Sequence, residues 1–534
     1  HTQRRRQRQM CIRDRINIGL ITSKQAKRQP NAWAVYDNTS QRRITFKELD
    51  DLVKKIANGL LSLGLEKGDR VSILSQNSIE YLALFFACGQ AGLVAHALNW
   101  RLAKTEIAKI IENGEPKIFI CEGKFKDIKS ELQKEIDFVD HWMEYGEGSD
   151  NSFEKLIDSS SCEDVEQAQT VGDEDPFFIL YTGGTTGESK GALHTHKSAY
   201  FGMLNQTVAE RIVPSDVYML TGQMFHIPVL LAMNYTAHGC PMVLMNFDAK
   251  LALDLIQQER VSGFLGITTM LNWMMAVENF DKYDLSSLRC VQYGGGPMPS
   301  TVIKEVLNKL PCQIIQGYGQ TEGTTMTFLS QEDHIKAAIE GINEERLKSC
   351  GREGFVTSVK VVDKDGNPVP NDGETPGEII VRSDANMVGY FRRPDLTEKT
   401  IRNGWMWTGD IATWDNDNYI FIKDRAKDMI ISGGENIYSV QVEEAICKHE
   451  AVLETAVFGI PDDEWGESVK AYVVLKPDMH ASEDDIINTA KKHLASYQKP
   501  KSVKFIDELP KAPTGKILKR NLRDPYWEDS EKEI

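Results

Sequence analysis

The sequence lacks the cysteine pattern of a disulfide-stapled or zinc-binding protein. Its nine cysteines include no CxxC pair, and their number is odd. Scattered cysteines of this kind are typical of reduced thiols in a cytoplasmic compartment. We therefore expect a cytoplasmic protein without structural disulfides.

The sequence also lacks an apolar run of the roughly 18 residues that a membrane span needs. The best candidate, residues 80–98, is interrupted by Gln90 and by glycines, and it is predicted to form a buried helix followed by a strand. The basic segment 1–15 contains no apolar stretch of the kind that a secretion signal requires. We expect this segment to be a non-native or disordered tail outside the fold, with a basic binding arm as the alternative.

Positive charge is in short supply as well. The chain has 62 Lys and Arg residues against 78 Asp and Glu residues, so its formal net charge is −16. Nucleic-acid binding needs a basic face, and we expect no nucleic-acid partner. A local basic site for a small phosphorylated ligand remains compatible with this charge.

What the sequence does contain is the helix–strand alternation of an α/β protein. Thr45 and Glu48 form a capping box ahead of apolar residues at helical spacing, which predicts a helix over 45–65. Buried, partly parallel strands are the usual interpretation of short apolar runs between helices. Such runs occur at 70–74, 116–121, 217–220, 241–245, 263–267, 289–295 and 312–319.

The pattern changes after residue 350. Residues 354–383 are rich in β-branched side chains and in turn signals such as Asp365-Gly366, which predicts hairpins. Towards the end we expect strands at 453–459 and 469–475 and a helix at 483–495. The predicted organisation is a large N-terminal domain (16–422), a charged hinge (423–427) and a small, mobile α+β C-terminal domain (428–534).

The first functional hypothesis comes from 182-TGGTTGESKG-191. It lies between the apolar run 177–181 and an extended exit at 191–194, and its glycines, hydroxyls and lysine are suited to phosphate oxygens. The spacing differs from that of a P-loop, which ends in GK[ST] and leads into a helix. We expect a phosphate-binding loop of another kind, with a flexible linker as the alternative.

Four later motifs could complete a nucleotide site. In 317-GYGQTEG-323, Tyr318 could stack on a base, Thr321 could bind phosphate and Glu322 could hold Mg²⁺. Asp410 in 407-WTGD-410 could accept from ribose hydroxyls, although it could also be a turn residue. Positive charge comes from Arg425 and Lys427 in 424-DRAKD-428 and from Lys516 in 514-TGKILKR-520.

These five motifs, in this order, resemble the adenylate-forming superfamily, which includes acyl- and aryl-CoA synthetases, peptide-synthetase adenylation domains and beetle luciferases. The resemblance extends from about residue 30 to residue 520. Segments 94–107 and 432–444 are most similar to the acyl-CoA synthetase branch. The resemblance implies the fold of that superfamily: a large α/β N-terminal domain with a β-rich subdomain, and a small mobile C-terminal domain.

The resemblance also implies substrates and residue roles. ATP would bind with Mg²⁺, and CoA would be the thiol substrate. Glu322 would ligate Mg²⁺, Thr321 would contact the α-phosphate, and Lys516 would bridge the substrate carboxylate and that phosphate. His226 is the candidate gate of the acyl pocket, with a core histidine as the alternative.

The remaining implied positions are grouped by ligand. The triphosphate would contact Thr182, Gly183, Gly184, Thr185, Thr186, Gly187 and Lys190. The adenosine would contact Gly294, Gly295, Gly296, Pro297, Gly317, Tyr318, Asp410, Ile422 and Arg425. The pantetheine tunnel of CoA would be lined by Gly433 and Gly434, with Trp465 nearby, and Lys427 would be the hinge residue.

The implied reaction is a two-step ligation. A carboxylate attacks the α-phosphate of ATP, pyrophosphate leaves, and a thiol then displaces AMP from the acyl-adenylate. Both partners of the first step are anions, so Lys516 and Mg²⁺ must offset their repulsion. Lys516 has no task in the second step, and the C-terminal domain is expected to turn about Lys427 between the steps.

The acyl group is predicted to be apolar. The candidate pocket segments 225–235, 264–274 and 293–299 contain no charged residue, and no Asp lies near 224–228 to pair with an amino acid. We expect a medium- or long-chain fatty acid, with an aryl acid of the benzoate or cinnamate type as the alternative. Oxygenation of the luciferase kind and a catalytically dead nucleotide-binding protein are the less expected alternatives. A homodimer is the candidate assembly.

Overall fold

The structure is a computed structural model that describes residues 15–182, 189–296, 298–511 and 517–527. The chain divides into two compact units. The first unit takes in the described residues of 15–182, 189–359 and 381–406. The second takes in those of 360–380 and 407–527.

The strands are numbered in chain order. They are β1 (Trp33–Asp37), β2 (Arg42–Thr45), β3 (Arg70–Leu74), β4 (Val94–Leu98), β5 (Ile118–Glu122), β6 (His141–Tyr145), β7 (Pro176–Thr182), β8 (Lys190–Thr195), β9 (Tyr218–Leu220), β10 (Met242–Leu244), β11 (Gly263–Leu265), β12 (Cys290–Gly294), β13 (Gln313–Gln320), β14 (Thr324–Leu329), β15 (Arg352–Glu353), β16 (Thr357–Val362), β17 (Gly377–Ser383), β18 (Gly389–Tyr390), β19 (Ile401–Arg402), β20 (Trp405–Trp414), β21 (Ile420–Arg425), β22 (Ile430–Ser432), β23 (Glu435–Ile437), β24 (Val452–Asp462), β25 (Gly466–Leu475) and β26 (Ser502–Phe505).

The α-helices are numbered in the same way. They are α1 (Ile21–Arg28), α2 (Phe46–Ser62), α3 (Ile79–Ala91), α4 (Lys104–Gly114), α5 (Lys126–Glu135), α6 (Ser152–Ser159), α7 (His196–Glu210), α8 (Pro228–His238), α9 (Ala249–Glu259), α10 (Thr268–Met275), α11 (Ser300–Lys309), α12 (Gln331–His334), α13 (Pro394–Thr400), α14 (Ser439–Ile446), α15 (Glu483–Lys491) and α16 (Lys519–Arg523).

Two mixed sheets organise the first unit. One has the strand order β15–β14–β13–β12–β11–β9–β10–β1–β2, and its strands run parallel from β13 to β1. The other has the order β18–β8–β7–β4–β3–β5–β6, with β8 and β18 antiparallel at one end. The prediction of an α/β fold with partly parallel, buried strands is confirmed.

Helix α3 is a buried element of the core. Ser78 caps it by accepting a hydrogen bond from the Tyr81 N–H at 3.1 Å, and Gly92, with φ of 69°, ends it in the left-handed region. One hydrophobic core contains residues of both sheets together with this helix. Strand β4 follows directly, so the prediction of a buried helix and a strand over 80–98 is confirmed.

A third sheet has the order β16–β17–β20–β19, with β21 paired to β20. The predicted turn at Asp365-Gly366 is part of a longer loop in which Asp363 Oδ1 accepts from the N–H groups of Asp365 and Asn367, each at 2.9 Å. Val362 and Pro368 form an antiparallel bridge at its base, which confirms a hairpin at this point.

The second unit contains the sheet β23–β22–β25–β24, with β26 parallel to β25. Strands β24 and β25 confirm the predicted strands at 453–459 and 469–475. The helix predicted over 483–495 ends at Lys491, because its last turn tightens: the Lys492 and His493 N–H groups bond three residues back.

Candidate active site

A β-hairpin frames the Gly/Thr segment. Strands β7 and β8 are antiparallel, and Thr182 lies opposite Lys190. A Cβ on Gly191 would lie 2.7 Å from Ile179 Cγ2, so glycine is needed for this close pairing. The extended exit is confirmed, and a helix of the P-loop type does not follow directly. The predicted phosphate contacts Gly183, Gly184, Thr185, Thr186 and Gly187 lie outside the described residues.

Lys190 and Glu322 come together around Tyr390. The Tyr390 hydroxyl donates to Glu322 Oε1 at 2.7 Å, and the Lys190 Nζ lies 5.4 Å from the centre of the Tyr390 ring. Burial lowers the pKa of Lys190, while the Glu322 carboxylate acts against this shift. An ammonium and a carboxylate of two separate motifs are thus neighbours, as a site for metal-bound phosphates requires.

Thr321 is held through its main chain. His194 Nε2 lies 2.8 Å from the Thr321 carbonyl oxygen, which places the imidazole proton on Nε2, and Nδ1 lies 3.0 Å from Ser198 Oγ. Burial lowers the pKa of His194 to about 4, so the ring is neutral near pH 7. Strand β8 therefore fixes the loop that carries Thr321 and Glu322.

In the predicted adenine region, the parallel strands β12 and β13 approach each other very closely. Gly294 lies opposite Gly317, and a Cβ on Gly294 would lie 2.3 Å from the Gly317 carbonyl oxygen. Gly295, with φ of 76°, turns the chain in the left-handed region, and the space beside Gly296 is open to 4 Å. Pro297 lies outside the described residues.

Tyr318 lies half-buried on β13, next to an irregularity in the pairing of β13 with β14. A Cβ on Gly319 would lie 1.9 Å from the Thr324 carbonyl oxygen, and Thr324 has φ of 55°. Glycine is therefore needed at 319 for the close approach of β13 and β14 beside Tyr318. Stacking of Tyr318 on adenine stays a prediction.

The Nε2 atom of His226 is buried and has no hydrogen-bond partner among the described residues. Its ring makes an edge contact with Phe225 at 4.5 Å. Burial lowers the pKa of His226 to about 4, and Arg101 adds to that shift. The Arg101 guanidinium carbon lies 5.7 Å from the Phe225 ring centre, so a cation from a separate segment approaches the candidate pocket region. The gate role of His226 stays a prediction.

Within the second unit, Asp410 and Arg425 form a cross-strand ion pair. They lie opposite each other on β20 and β21, and Arg425 Nε is 2.7 Å from Asp410 Oδ1. Asp410 is buried, whereas the Arg425 side chain is 37% exposed. The partly exposed Ile422 lies on β21 close by. These three predicted adenosine contacts therefore share one pair of strands.

The predicted hinge is tied to the C-terminal helices. The buried Asp424 Oδ2 accepts a hydrogen bond of 2.5 Å from the Ser439 N–H, and Lys519 Nζ contacts Ser439 Oγ at 2.6 Å and Glu443 Oε1 at 2.8 Å. Burial raises the pKa values of Asp424 and Glu443, and the Lys519 ammonium opposes both shifts. The Lys427 carbonyl oxygen accepts from Arg523 at 3.0 Å.

The predicted CoA-binding glycines form the β22–β23 turn. Gly433 and Gly434 have φ of 61° and 84°, and a Cβ on Gly433 would lie 2.6 Å from the indole of Trp465. Trp465 is half exposed, and its carbonyl oxygen accepts from the Gly433 N–H at 2.8 Å. Lys516 lies outside the described residues, and Lys511 and Ile517, which flank it in the sequence, form an antiparallel bridge.

Two absences apply to the described part of the chain only. No helix found there is long and apolar enough to cross a membrane. No group of three or more His, Cys, Asp or Glu side chains is arranged there to hold a metal ion. A metal at Glu322 would therefore need phosphate or water oxygens to complete its coordination.

Sequence reasoning missed two residues of this region, Tyr390 and His194. Both lie on strands that meet the 317–323 motif only in the folded chain, at separations of 68 and 127 residues. His194 stood within the segment quoted as the extended exit, and its position four residues after Lys190 on the same strand was the available signal.

Comparisons with known proteins show the family of the chain. A profile described as AMP-binding enzyme matches residues 22–391, and one described as AMP-binding enzyme C-terminal domain matches residues 441–516. The long-chain-fatty-acid–CoA ligase FadD13 of Mycobacterium tuberculosis is 35% identical over 516 residues, which cover 96% of this chain and 98% of that protein. A feruloyl-CoA synthase of Amycolatopsis sp is 33% identical over 509 residues, covering 95% and 98% of the two chains.

Solved structures show the same fold. The Mycobacterium tuberculosis fatty acyl CoA synthetase matches with a TM-score of 0.77 at 33% identity, covering 96% of this chain and 98% of that one. ATP-bound MatB from Rhodopseudomonas palustris matches with a TM-score of 0.85 at 26% identity, covering 97% and 100%. The chain therefore belongs to the AMP-binding enzyme family, in the acyl-CoA synthetase branch of the adenylate-forming superfamily.

Proposed function

We propose that this acyl-CoA synthetase, an AMP-forming acid–thiol ligase, activates a medium- or long-chain fatty acid. The observation that carries the proposal is the apolar character of the candidate pocket segments 225–235, 264–274 and 293–299, which contain no charged residue. In the structure Phe225, Phe264 and Met274 are buried. A charged substituent placed among such side chains would be desolvated without a partner, at a cost of several kcal/mol.

Relatives support this substrate class and also the alternative. The FadD13 relative is named as a long-chain-fatty-acid–CoA ligase, and ScoC of Streptomyces coeruleorubidus, 31% identical, as a fatty acid–[acyl-carrier-protein] ligase. The feruloyl-CoA synthase and a trans-cinnamate:CoA ligase of Petunia hybrida, 31% identical, are named for aryl acids. An aryl acid is therefore the second candidate.

The proposed roles follow the charges of the reaction. The substrate carboxylate attacks the α-phosphorus of ATP and forms a P–O bond, while the bond to pyrophosphate breaks. The CoA thiolate then attacks the acyl carbon and AMP leaves. Lys516 is proposed to neutralise the two anions of the first step, Lys190 to contact the phosphates, and Thr321 to contact the α-phosphate.

Glu322 is the proposed Mg²⁺ ligand, and its surroundings fit that role. Tyr390 bonds one carboxylate oxygen, and Oε2 accepts no hydrogen bond from the described residues. Mg²⁺ is commonly held by one or two carboxylates together with substrate phosphates and water, which this donor set would allow. When bound, the ion would offset negative charge on the phosphates.

The adenosine and CoA contacts are proposed on the same basis. Asp410 and Arg425 would bind the ribose, and Gly294 and Tyr318 would lie on either side of the adenine. Gly433 would line the pantetheine tunnel. The described cysteines are all free thiols, which supports a reducing, cytoplasmic compartment. Assembly as a homodimer stays a proposal.

The test is a pyrophosphate-release screen across saturated fatty acids from medium to long chain, benzoate- and cinnamate-type acids, and dicarboxylic acids, each with and without CoA. For a fatty-acyl pocket we expect kcat/KM to rise about fourfold per added methylene until the pocket is filled. Dicarboxylic acids belong in the panel because Arg101 lies near Phe225. Highest kcat/KM with an aryl acid, and no increase with chain length, would reject the fatty-acid proposal.

A further inference from the structure

Hydrogen bonds of the main chain hold Tyr390 in place. It lies on β18 opposite Ala192 of β8, and its N–H donates to Thr397 Oγ1 at 2.9 Å. The next residue, Phe391, donates its N–H to the Gly191 carbonyl oxygen at 2.7 Å. The ring is therefore attached to the strand that begins with Lys190.

The same segment holds Glu322 at two points. The Met387 N–H donates to the Glu322 carbonyl oxygen at 2.7 Å, and the Tyr390 hydroxyl donates to Glu322 Oε1 at 2.7 Å. Tyr390 is 9% exposed, so its hydroxyl makes this bond in a region largely removed from water. Hydrogen bonds to a charged acceptor in such surroundings are stronger than neutral ones.

Lys190, whose charge is opposite to that of Glu322, lies over the ring of the same tyrosine. The Lys190 ammonium lies 5.4 Å from the ring centre, a cation–π distance, and the Glu322 carboxylate favours its charged form. Lys190 and Glu322 are close enough to interact, yet in the described part of the chain they form no ion pair within 4.0 Å. A direct pair would neutralise both groups before a nucleotide arrives.

We propose that Tyr390 is a positioning residue of the ATP site: it holds the Glu322 carboxylate by its hydroxyl and the Lys190 ammonium by its ring, and thereby keeps the two charges apart. Lys190 then stays available to phosphate oxygens, and Glu322 Oε2 to a divalent cation. The inference rests on the proposed roles of Lys190 and Glu322, but not on the identity of the acyl group.

The test is Tyr390→Phe, which keeps the ring and removes the hydroxyl. Released from its bond, Glu322 can pair with Lys190, and ATP must then compete with that ion pair. We expect the Kd for ATP, measured by calorimetry in the full chain at several Mg²⁺ concentrations, to rise about tenfold, together with the Mg²⁺ concentration needed for half-maximal ATP affinity. The thermal midpoint should remain near that of the wild type.

Tyr145→Phe is the matched control. The Tyr145 hydroxyl is also buried and hydrogen-bonded, to Ser75 at 2.5 Å and Ser78 at 2.9 Å, and β6 lies at the opposite edge of the same sheet from β18. This variant should bind ATP as the wild type does. If Tyr145→Phe lost as much ATP affinity as Tyr390→Phe, the effect would be one of general packing, and the proposal would be overturned.

A double-mutant cycle separates positioning from packing. In a Glu322→Gln background the attraction to Lys190 is gone, so Tyr390→Phe should produce little further change in ATP affinity. A wild-type Kd and Mg²⁺ requirement for Tyr390→Phe, or an equal loss in both backgrounds, would overturn the proposal. If these ATP measurements agree while no fatty acid supports pyrophosphate release, the fatty-acid proposal fails and the role of Tyr390 stands.

Discussion

At the scale of single residues, the largest expected effect on the chemistry belongs to Lys516. The carboxylate and the phosphate that react are both anions, so removing the one proposed mobile cation raises the barrier of adenylation. We expect Lys516→Ala to abolish acyl-adenylate formation and to leave thioesterification of a supplied acyl-adenylate largely intact. Pyrophosphate release and CoA consumption measure the two steps separately.

Lys511→Ala is the control for that substitution, because Lys511 is a lysine close to Lys516 in the sequence and makes an ion pair with Glu454 at 2.7 Å. It should retain both half-reactions. Equal loss of both half-reactions in Lys516→Ala would contradict a lysine that serves the first step alone.

A second residue-scale prediction concerns the buried Glu210, which accepts from Tyr235 at 2.7 Å and bonds Gln206. Arg289 and Asp216 are the charged groups that face it. Burial raises the pKa of Glu210 from 4.5 to about 7. As pH rises, the unfolded chain therefore releases this proton before the folded chain does. The stability that protonated Glu210 contributes below pH 4.5 is lost as pH rises towards 7.

Glu210→Gln should remove this pH dependence, because the amide keeps an acceptor for Tyr235 and does not titrate. We expect the urea midpoint of the variant, relative to the wild type, to be higher at alkaline pH than at mildly acidic pH, by an amount corresponding to at most about 3 kcal/mol. A difference between the two proteins that is the same at both pH values would show that Glu210 does not titrate in this range.

Single residues also mark the limit of sequence reasoning about the site. Glu322 and Asp410 could be proposed because each stands in a short motif whose residue types suit phosphate, metal or ribose. Tyr390 and His194 could not, because their partners Glu322 and Thr321 become neighbours only through strand pairing. A tyrosine in a short strand has many structural uses, and sequence alone does not distinguish among them.

At the scale of elements, local signals predicted local structure well. The capping box at Thr45 is present, with the Thr45 N–H bonded to Glu48 Oε2 at 2.7 Å, and it starts α2. Apolar runs located the strands to within a few residues. The order of the strands was not predictable, because pairs such as β1 with β10 join segments some 200 residues apart and depend on packing of the whole unit.

An element-scale prediction follows from the approach of β12 to β13. Gly294→Ala places a Cβ 2.3 Å from a backbone oxygen, so the strands must separate. We expect a loss of about 1–3 kcal/mol in stability and a weaker thermal shift on adding ATP, because the predicted adenine region moves. Differential scanning fluorimetry with and without ATP measures both.

Gly296→Ala is the matched control for stability, since the space beside Gly296 is open to 4 Å. The thermal midpoint of that variant should stay within about 1 °C of the wild type. If the Gly294→Ala protein had the same thermal midpoint as the wild type, β12 and β13 could separate without loss of stability. The close approach of these strands would then not require glycine at 294.

At the scale of the whole molecule, the proposed cycle needs two arrangements of the C-terminal domain. The predicted hinge lies between the two matched family profiles, which end at residue 391 and begin at residue 441. Within the second unit, Asp424 precedes Lys427 and Ser439 follows it, and the two are joined by a buried hydrogen bond. Rotation at the proposed hinge would separate Asp424 from Ser439 and break that bond.

Asp424→Ala therefore tests the proposed rotation. Removal of the carboxylate leaves the Ser439 N–H without this acceptor, which disfavours the hinge conformation that makes this bond relative to one that does not. We expect the rates of the two half-reactions, measured by pyrophosphate release and by thioester formation from supplied acyl-adenylate, to change in opposite directions. The half-reaction that slows identifies which step the hinge conformation with this bond serves. If both rates fell together with the thermal midpoint, Asp424 would act in folding alone, and the hinge would have to be sought elsewhere in the chain.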